Sequence, residues 1–172
     1  TRGGSNDRDA TNRLGNQVPM ETEELHVSDA NGDGHADIVF FNLTSKNKAW
    51  DNDPHTRIFI NDGTGGFTDG TATRLPAHRF SSWGGTVIDF NNDGHPDVLV
   101  SAIEVPGFVP LQVRAWQNDG QGNFSDVTER VIPMETVGRS WSMAQGDLDG
   151  DGKSDVFIGA WGTQARLLLS TE

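Results

Sequence analysis

The chain contains no cysteine, so disulfides do not hold its fold together and no thiolate nucleophile is available. No stretch approaches the ~18 apolar residues of a membrane-spanning helix, and no membrane insertion is expected. Basic residues are scarce. Thirteen Lys and Arg stand against 25 Asp and Glu, for a formal net charge of −12. An acidic excess of that size repels a phosphate backbone, which argues against a nucleic-acid partner. Helical periodicity of useful length is missing. The serines lack a Gly-x-Ser-x-Gly elbow, and Gly63-Thr64-Gly65-Gly66 lacks the downstream Lys of a phosphate loop. No enzymatic activity is expected. No secretory signal is visible, and Thr1 as first residue fits a processed or excised chain. What remains is 172 residues with 21 Gly and 34% hydrophobic content. That is enough chain for one domain with a core, built of short strands and many turns.

Against this background one nine-residue pattern occurs three times: Asp, any, Asn or Asp, any, Asp, Gly, any, any, Asp. Its oxygen-bearing side chains at positions 1, 3, 5 and 9 are Asp29, Asn31, Asp33 and Asp37, then Asp89, Asn91, Asp93 and Asp97, then Asp147, Asp149, Asp151 and Asp155. Oxygen donors at this spacing around an obligatory turn suit a hard cation such as Ca²⁺, which takes six to eight oxygen ligands. Three Ca²⁺ sites are therefore expected. An EF-hand would need a Glu at position 12. That place holds Phe40, Val100 and Ile158, so the EF-hand reading fails three times. Ca²⁺ would also relieve the repulsion among carboxylates crowded into each turn.

The repeat extends beyond the loops. Asp29 to Asp89 spans 60 residues and Asp89 to Asp147 spans 58. Each loop runs into a short apolar segment, expected to be a buried strand at 37–42, 97–102 and 155–160. Strands at 24–28, 83–88 and 141–146 lead into the loops. Further strands at 56–61, 112–117 and 165–170 lead into an Asn-Asp-Gly cluster, a hairpin signal. Strands at 67–74 and 124–131 leave that turn. Four antiparallel strands per unit at this period predict an all-β fold of β-propeller blades. Residues 21–76, 77–133 and 134–172 form the three units of a single repeat domain, and 1–20 supplies a blade-closing strand. Trp83 and Trp141 share a repeat position and read as packing between blades. Trp116 replaces Phe59 inside a strand and reads as core.

From about residue 20 to 170 the chain resembles the FG-GAP and VCBS repeats of integrin α-subunit propellers, fungal lectins of integrin-like fold and many bacterial secreted proteins. The resemblance implies that the backbone carbonyls of His35, His95 and Lys153, at position 7, complete the three Ca²⁺ sites. It also implies adhesion, glycan binding or an accessory role beside a catalytic domain. Such propellers usually have seven blades. Residues 9–14 and 18–22 resemble a blade end at 126–136, so the three units are expected to join further blades, from a longer parent chain or from other copies.

The loops opposite the acidic turns carry Trp50, His55, Arg79, Phe108, Arg139 and Trp161. Aromatic and Arg side chains on a loop-rich face suit a glycan or protein ligand. Ca²⁺ outside cells is abundant enough to fill loops with Kd values of about 10⁻⁴–10⁻³ M, which places the protein at the cell surface or beyond it.

Overall fold

A computed structural model describes residues 11–14, 20–45, 55–104, 109–136, 138 and 140–170. The fold is all-β, with three antiparallel sheets. The first sheet has the order β1 (Met20–Ser28), β2 (Asp37–Ser45), β3 (Arg57–Asn61), β4 (Phe67–Asp69). The second runs β5 (Ser81–Ile88), β6 (Asp97–Glu104), β8 (Arg114–Asn118), β9 (Phe124–Asp126), with a short β7 (Val109–Pro110) paired to β6. The third comprises β10 (Ser140–Gly146), β11 (Asp155–Ala160) and β12 (Arg166–Leu168). The first sheet has the four expected strands, and the second adds a fifth. The third has three among the described residues, and no fourth strand is expected within residues 134–172.

The fourth strands are shorter than expected. After Asp69 and Asp126 the chain turns into one-turn helices, α1 (Thr71–Arg74) and α2 (Thr128–Val131). The cause is local. Asp69 Oδ1 accepts the Thr71 N–H at 2.9 Å and Asp126 Oδ1 accepts that of Thr128 at 3.0 Å, closing a turn of the Asx kind. The threonine hydroxyls then accept the backbone N–H groups of Ile58 and Ala115. A strand continuing past 70 would forfeit these bonds. Of the expected closing segment 1–20, residues Thr11–Leu14 form a 3-10 turn rather than a strand, and most of the rest lies outside the described residues.

The sheets stack face to face through two apolar cores. Val39, Phe41 and Ile58 of the first sheet meet Val98, Val100 and Trp116 of the second. Leu99 and Ala115, on the other face of the second sheet, meet Met143, Val156 and Ile158 of the third. Both faces of β6 are therefore covered, which is why its seven residues from Asp97 to Ile103 are all buried. Trp116 is fully buried, as its place in the repeat predicts. Trp83 stacks on Trp141 at 4.8 Å between ring centroids, joining the second and third sheets.

His78 lies beside Trp116, with ring centroids 4.9 Å apart. Its Nε2 accepts the Thr56 N–H at 3.2 Å and its Nδ1 pairs with Pro76 O at 2.9 Å. This arrangement needs a neutral ring with the proton on Nδ1. Burial lowers its pKa from 6.5, opposed by the bond to Pro76 and assisted by His55 and Arg57 nearby. The neutral ring's contribution to stability is complete above about pH 6.5 and declines as pH falls toward the depressed folded value, by at most about 1.4 kcal/mol per pH unit. In urea melts, the stability gap between wild type and His78→Gln should therefore narrow from pH 8 to pH 5.5. A constant gap would show that His78 does not titrate differently in the two states.

Candidate metal centres

Each acidic loop joins the first strand of a sheet to the second, and it is organised by its own side chains. In the first, Asp29 accepts the N–H groups of Asp33 and Gly34 at 3.1 and 2.9 Å. Asn31 Oδ1 accepts from Asp33 N–H, and Asp33 Oδ1 accepts from His35 N–H. The second loop repeats this with Asp89, Asn91, Asp93 and His95. In the third, Asp147 accepts from Gly150 and Gly152, Asp149 from Asp151, and Asp151 from Lys153. Gly34, Gly94 and Gly152 all have φ of +86°, a left-handed conformation in which a Cβ is strained. The turn geometry is thus written into nine consecutive residues.

The first, third and fifth positions converge. In the third loop, Asp147, Asp149 and Asp151 present carboxylate oxygens within 4.8 Å of one another, all exposed. Lys153 Nζ reaches Asp151 at 3.7 Å, so one cation meets three anions. Hard oxygen donors, gathered closely and incompletely neutralised, fit a hard divalent cation. The first two loops have two carboxylates and an amide oxygen instead. There the amide Nδ2 groups of Asn31 and Asn91 donate to Asp33 and Asp93 at 2.9 and 2.8 Å. Asn31 and the His35 N–H hold Asp33 below the usual carboxylate range. Asp93 is also low. Partial desolvation pushes it up, but bonds from His95 and Asn91 outweigh that.

The ninth position has a task the sequence pattern did not assign. Asp37, Asp97 and Asp155 are buried, and each bridges two backbones. One oxygen accepts the N–H of loop position 2, at Ala30, Phe90 or Leu148. The other accepts from the third strand's end, at Asn61, Asn118 or Ser170. These aspartates clamp the acidic loop to the hairpin end of the sheet. Each oxygen keeps a second lone pair, so the clamp does not preclude a bound cation. Desolvation raises the pKa of Asp37 and pushes that of Asp97 up to about 7. Asp155 makes the same bonds yet titrates low, held down by Ser170 and Leu148. No further sheet packs beyond it among the described residues, so less protein surrounds its charge.

The hairpins supply another group that the metal pattern passed over. Asn118 is buried, and its amide donates to Ala30 O and Pro96 O at 2.8 and 2.9 Å while accepting from Gly120 and Gly122 N–H. The repeated Asn-Asp-Gly cluster was its signal, although only a turn was inferred from it. The histidines at position 7 lie over the hairpins, His35 exposed and His95 half-buried. A Cβ built on Gly63 or Gly120 would stand 2.5 or 2.6 Å from Nε2 of His35 or His95.

The expected ligand face is only partly assembled. Arg79 and Trp161 are exposed, and Trp161 makes edge contacts to Trp83 and Trp141 at 5.5 and 5.9 Å. His55 is corrected. It is buried, and its Nδ1 pairs with Ser81 Oγ at 2.7 Å, a core position and not a surface one. Trp50, Phe108 and Arg139 lie outside the described residues.

No curated protein matches the chain. The FG-GAP-like repeat pattern matches residues 29–100 and 109–158. These segments cover more than half of the sequence and include all three acidic loops with the strands that follow them, and the chain belongs to the FG-GAP-like repeat family.

Proposed function

We propose that the chain is a non-catalytic, Ca²⁺-binding module of β-propeller type that recognises a glycan or protein outside the cell. The ions serve structure, tying the acidic turns that order the sheets. The observation that carries this reading is the convergence of Asp147, Asp149 and Asp151 within 4.8 Å, in one of three loops of the same design. Backbone carbonyls of His35, His95 and Lys153 would complete the oxygen sets, with the remaining places left to water. Recognition is supported by the exposed Arg79 and Trp161 on the face away from these loops.

Calorimetric titration of chelator-treated protein with Ca²⁺ tests the first part. Three equivalents should bind per chain, and Asp149→Ala should remove one. Absence of binding at millimolar Ca²⁺, or an unchanged count in the variant, would reject the metal assignment. A glycan array probed with the calcium-loaded protein and with Trp161→Ala tests the second part. Binding that does not depend on Trp161 would move the ligand site elsewhere.

A further inference from the structure

The hairpin between β8 and β9, which joins Asn118 to Phe124, is held from two sides by two different acidic loops. From the first sheet, Ala30 O at loop position 2 accepts from the Asn118 amide at 2.8 Å. A Cβ built on Gly122 would stand 3.1 Å from Cβ of Asn31, and one on Gly32 would stand 3.4 Å from Gly120 O. Positions 3 and 4 of the first loop therefore lie against the same turn. Arg74, the last residue of α1, adds a bond to Gln121 O at 2.7 Å.

From the hairpin's own sheet come positions 7, 8 and 9 of the second loop. The His95 ring lies over Gly120, Pro96 O accepts from the Asn118 amide at 2.9 Å, and Asp97 Oδ1 accepts the Asn118 N–H at 2.8 Å. Asn118 is 2% and Ala30 3% exposed, and Ala30 shares a core with Phe124 at the hairpin's far end. Neither loop can shift at these positions without breaking a buried bond, which is costly. The third loop bonds within itself and to Ser170, and it has no bond to this hairpin among the described residues.

We infer that the first two acidic loops bind Ca²⁺ cooperatively, with the β8–β9 hairpin, and Asn118 above all, as the element that couples them. The inference rests on the proposed Ca²⁺ reading. Without metal, the repulsion among Asp29, Asp33 and Asp37 loosens the first loop. Metal there fixes Ala30 and Asn31, and with them the hairpin. Asn118 N–H then holds Asp97, the ninth-position oxygen donor of the second loop, in its place. The second site is filled at a lower ordering cost, which is positive cooperativity, and by linkage the effect is reciprocal. Charge acts in the opposite sense, because one Ca²⁺ cancels two of the first loop's three formal charges. That influence fades over about 8 Å at 0.15 M salt, whereas the hairpin touches both loops directly.

Nuclear magnetic resonance of the whole chain, titrated with Ca²⁺, tests the coupling. Gly34, Gly94 and Gly152 stand at position 6 of the three loops, so their amide signals report each site separately. In Asp33→Ala, which disables the first site, the Gly94 midpoint should move to Ca²⁺ concentrations about fivefold higher or more, and the Gly152 midpoint should move much less. Asn118→Ala by itself should bring the Gly94 midpoint toward that of Asp33→Ala, and combining the two should add little. Arg74→Gln, which removes only the bond to Gln121 O, should give the same trend more weakly in a chain that keeps its fold. A Gly94 midpoint unmoved by Asp33→Ala would overturn the coupling and leave the Ca²⁺ sites independent. Equal shifts of Gly94 and Gly152 would overturn it too, by tracing the effect to overall charge or stability. Glycine signals that ignore millimolar Ca²⁺ altogether would remove the metal reading, and the coupling with it.

Discussion

Removing Ca²⁺ should lower the melting temperature by on the order of 20 °C. Folding brings carboxylate oxygens of Asp147, Asp149 and Asp151 within 4.8 Å of one another, and the first two loops hold two aspartates each in the same turn, with the Asp33 and Asp93 N–H groups bonded to Asp29 and Asp89. Without a cation, much of that repulsion is a cost of the folded state alone, because an extended chain separates the charges. Ligand that binds only the folded form stabilises it by about 2.7 kcal/mol per site at a hundredfold excess over Kd. Three independent sites would add about 8 kcal/mol, and a chain of this size shifts by roughly 2–4 °C per kcal/mol. Melting curves in millimolar Ca²⁺ and in excess chelator make the comparison. Raising NaCl in the chelated sample should recover part of the loss through screening. Curves that coincide in Ca²⁺ and chelator would show the loops to be turns and nothing more.

Asn118→Ala should destabilise the protein by about 3 kcal/mol, and Asn61→Ala by about 1 kcal/mol. The two residues hold the same place in successive hairpins. Asn118 uses all four hydrogen-bonding positions of its amide, two as donor and two as acceptor, and it is 2% exposed. One of its bonds crosses to Ala30 O in the first sheet's loop. Truncation would strand the buried Ala30 carbonyl, the half-buried Pro96 carbonyl and two N–H groups, each worth about 1–3 kcal/mol if left unmet and less where water enters. Asn61 donates to Ala36 O and accepts from Gly63 N–H, in a place that water reaches. Urea denaturation of the two variants gives the comparison. Equal losses would mean that the bond to Ala30 contributes nothing beyond an ordinary turn. Asn118→Asp should be no better than Asn118→Ala, because it points oxygen at two carbonyls that need a donor.

The contrast between these two asparagines runs through the whole molecule. The loop positions 1, 3 and 5 were legible because their partners lie two to five residues away, as in Asp29 with Asp33 and Gly34. The strands after the loops were legible from their apolar runs, and Trp116 from its repeat position. The ends of β4 and β9 were not. The hydroxyls of Thr71 and Thr128 meet backbone 13 residues away, and such a bond leaves no local trace. His55 looked like a surface residue in a non-repeating loop, but the adjoining sheet places Ser81 against it. The ninth-position aspartates were seen as ligands because they complete an acidic pattern. Their bonds to Asn61, Asn118 and Ser170 required knowing that loop and hairpin share one end of the sheet.

By itself, then, the sequence determined the repeat, the three oxygen-rich turns, the strand order within a unit and the residues that are apolar. Those properties depend on side-chain chemistry and on backbone preferences that act within about ten residues. Tertiary structure alone decided which apolar residues are covered. Val39 and Phe157 stand at one repeat position and read alike, yet one is 1% and the other 46% exposed. Burial is a property of the neighbouring sheet, and a residue's own segment does not encode whether that neighbour is there.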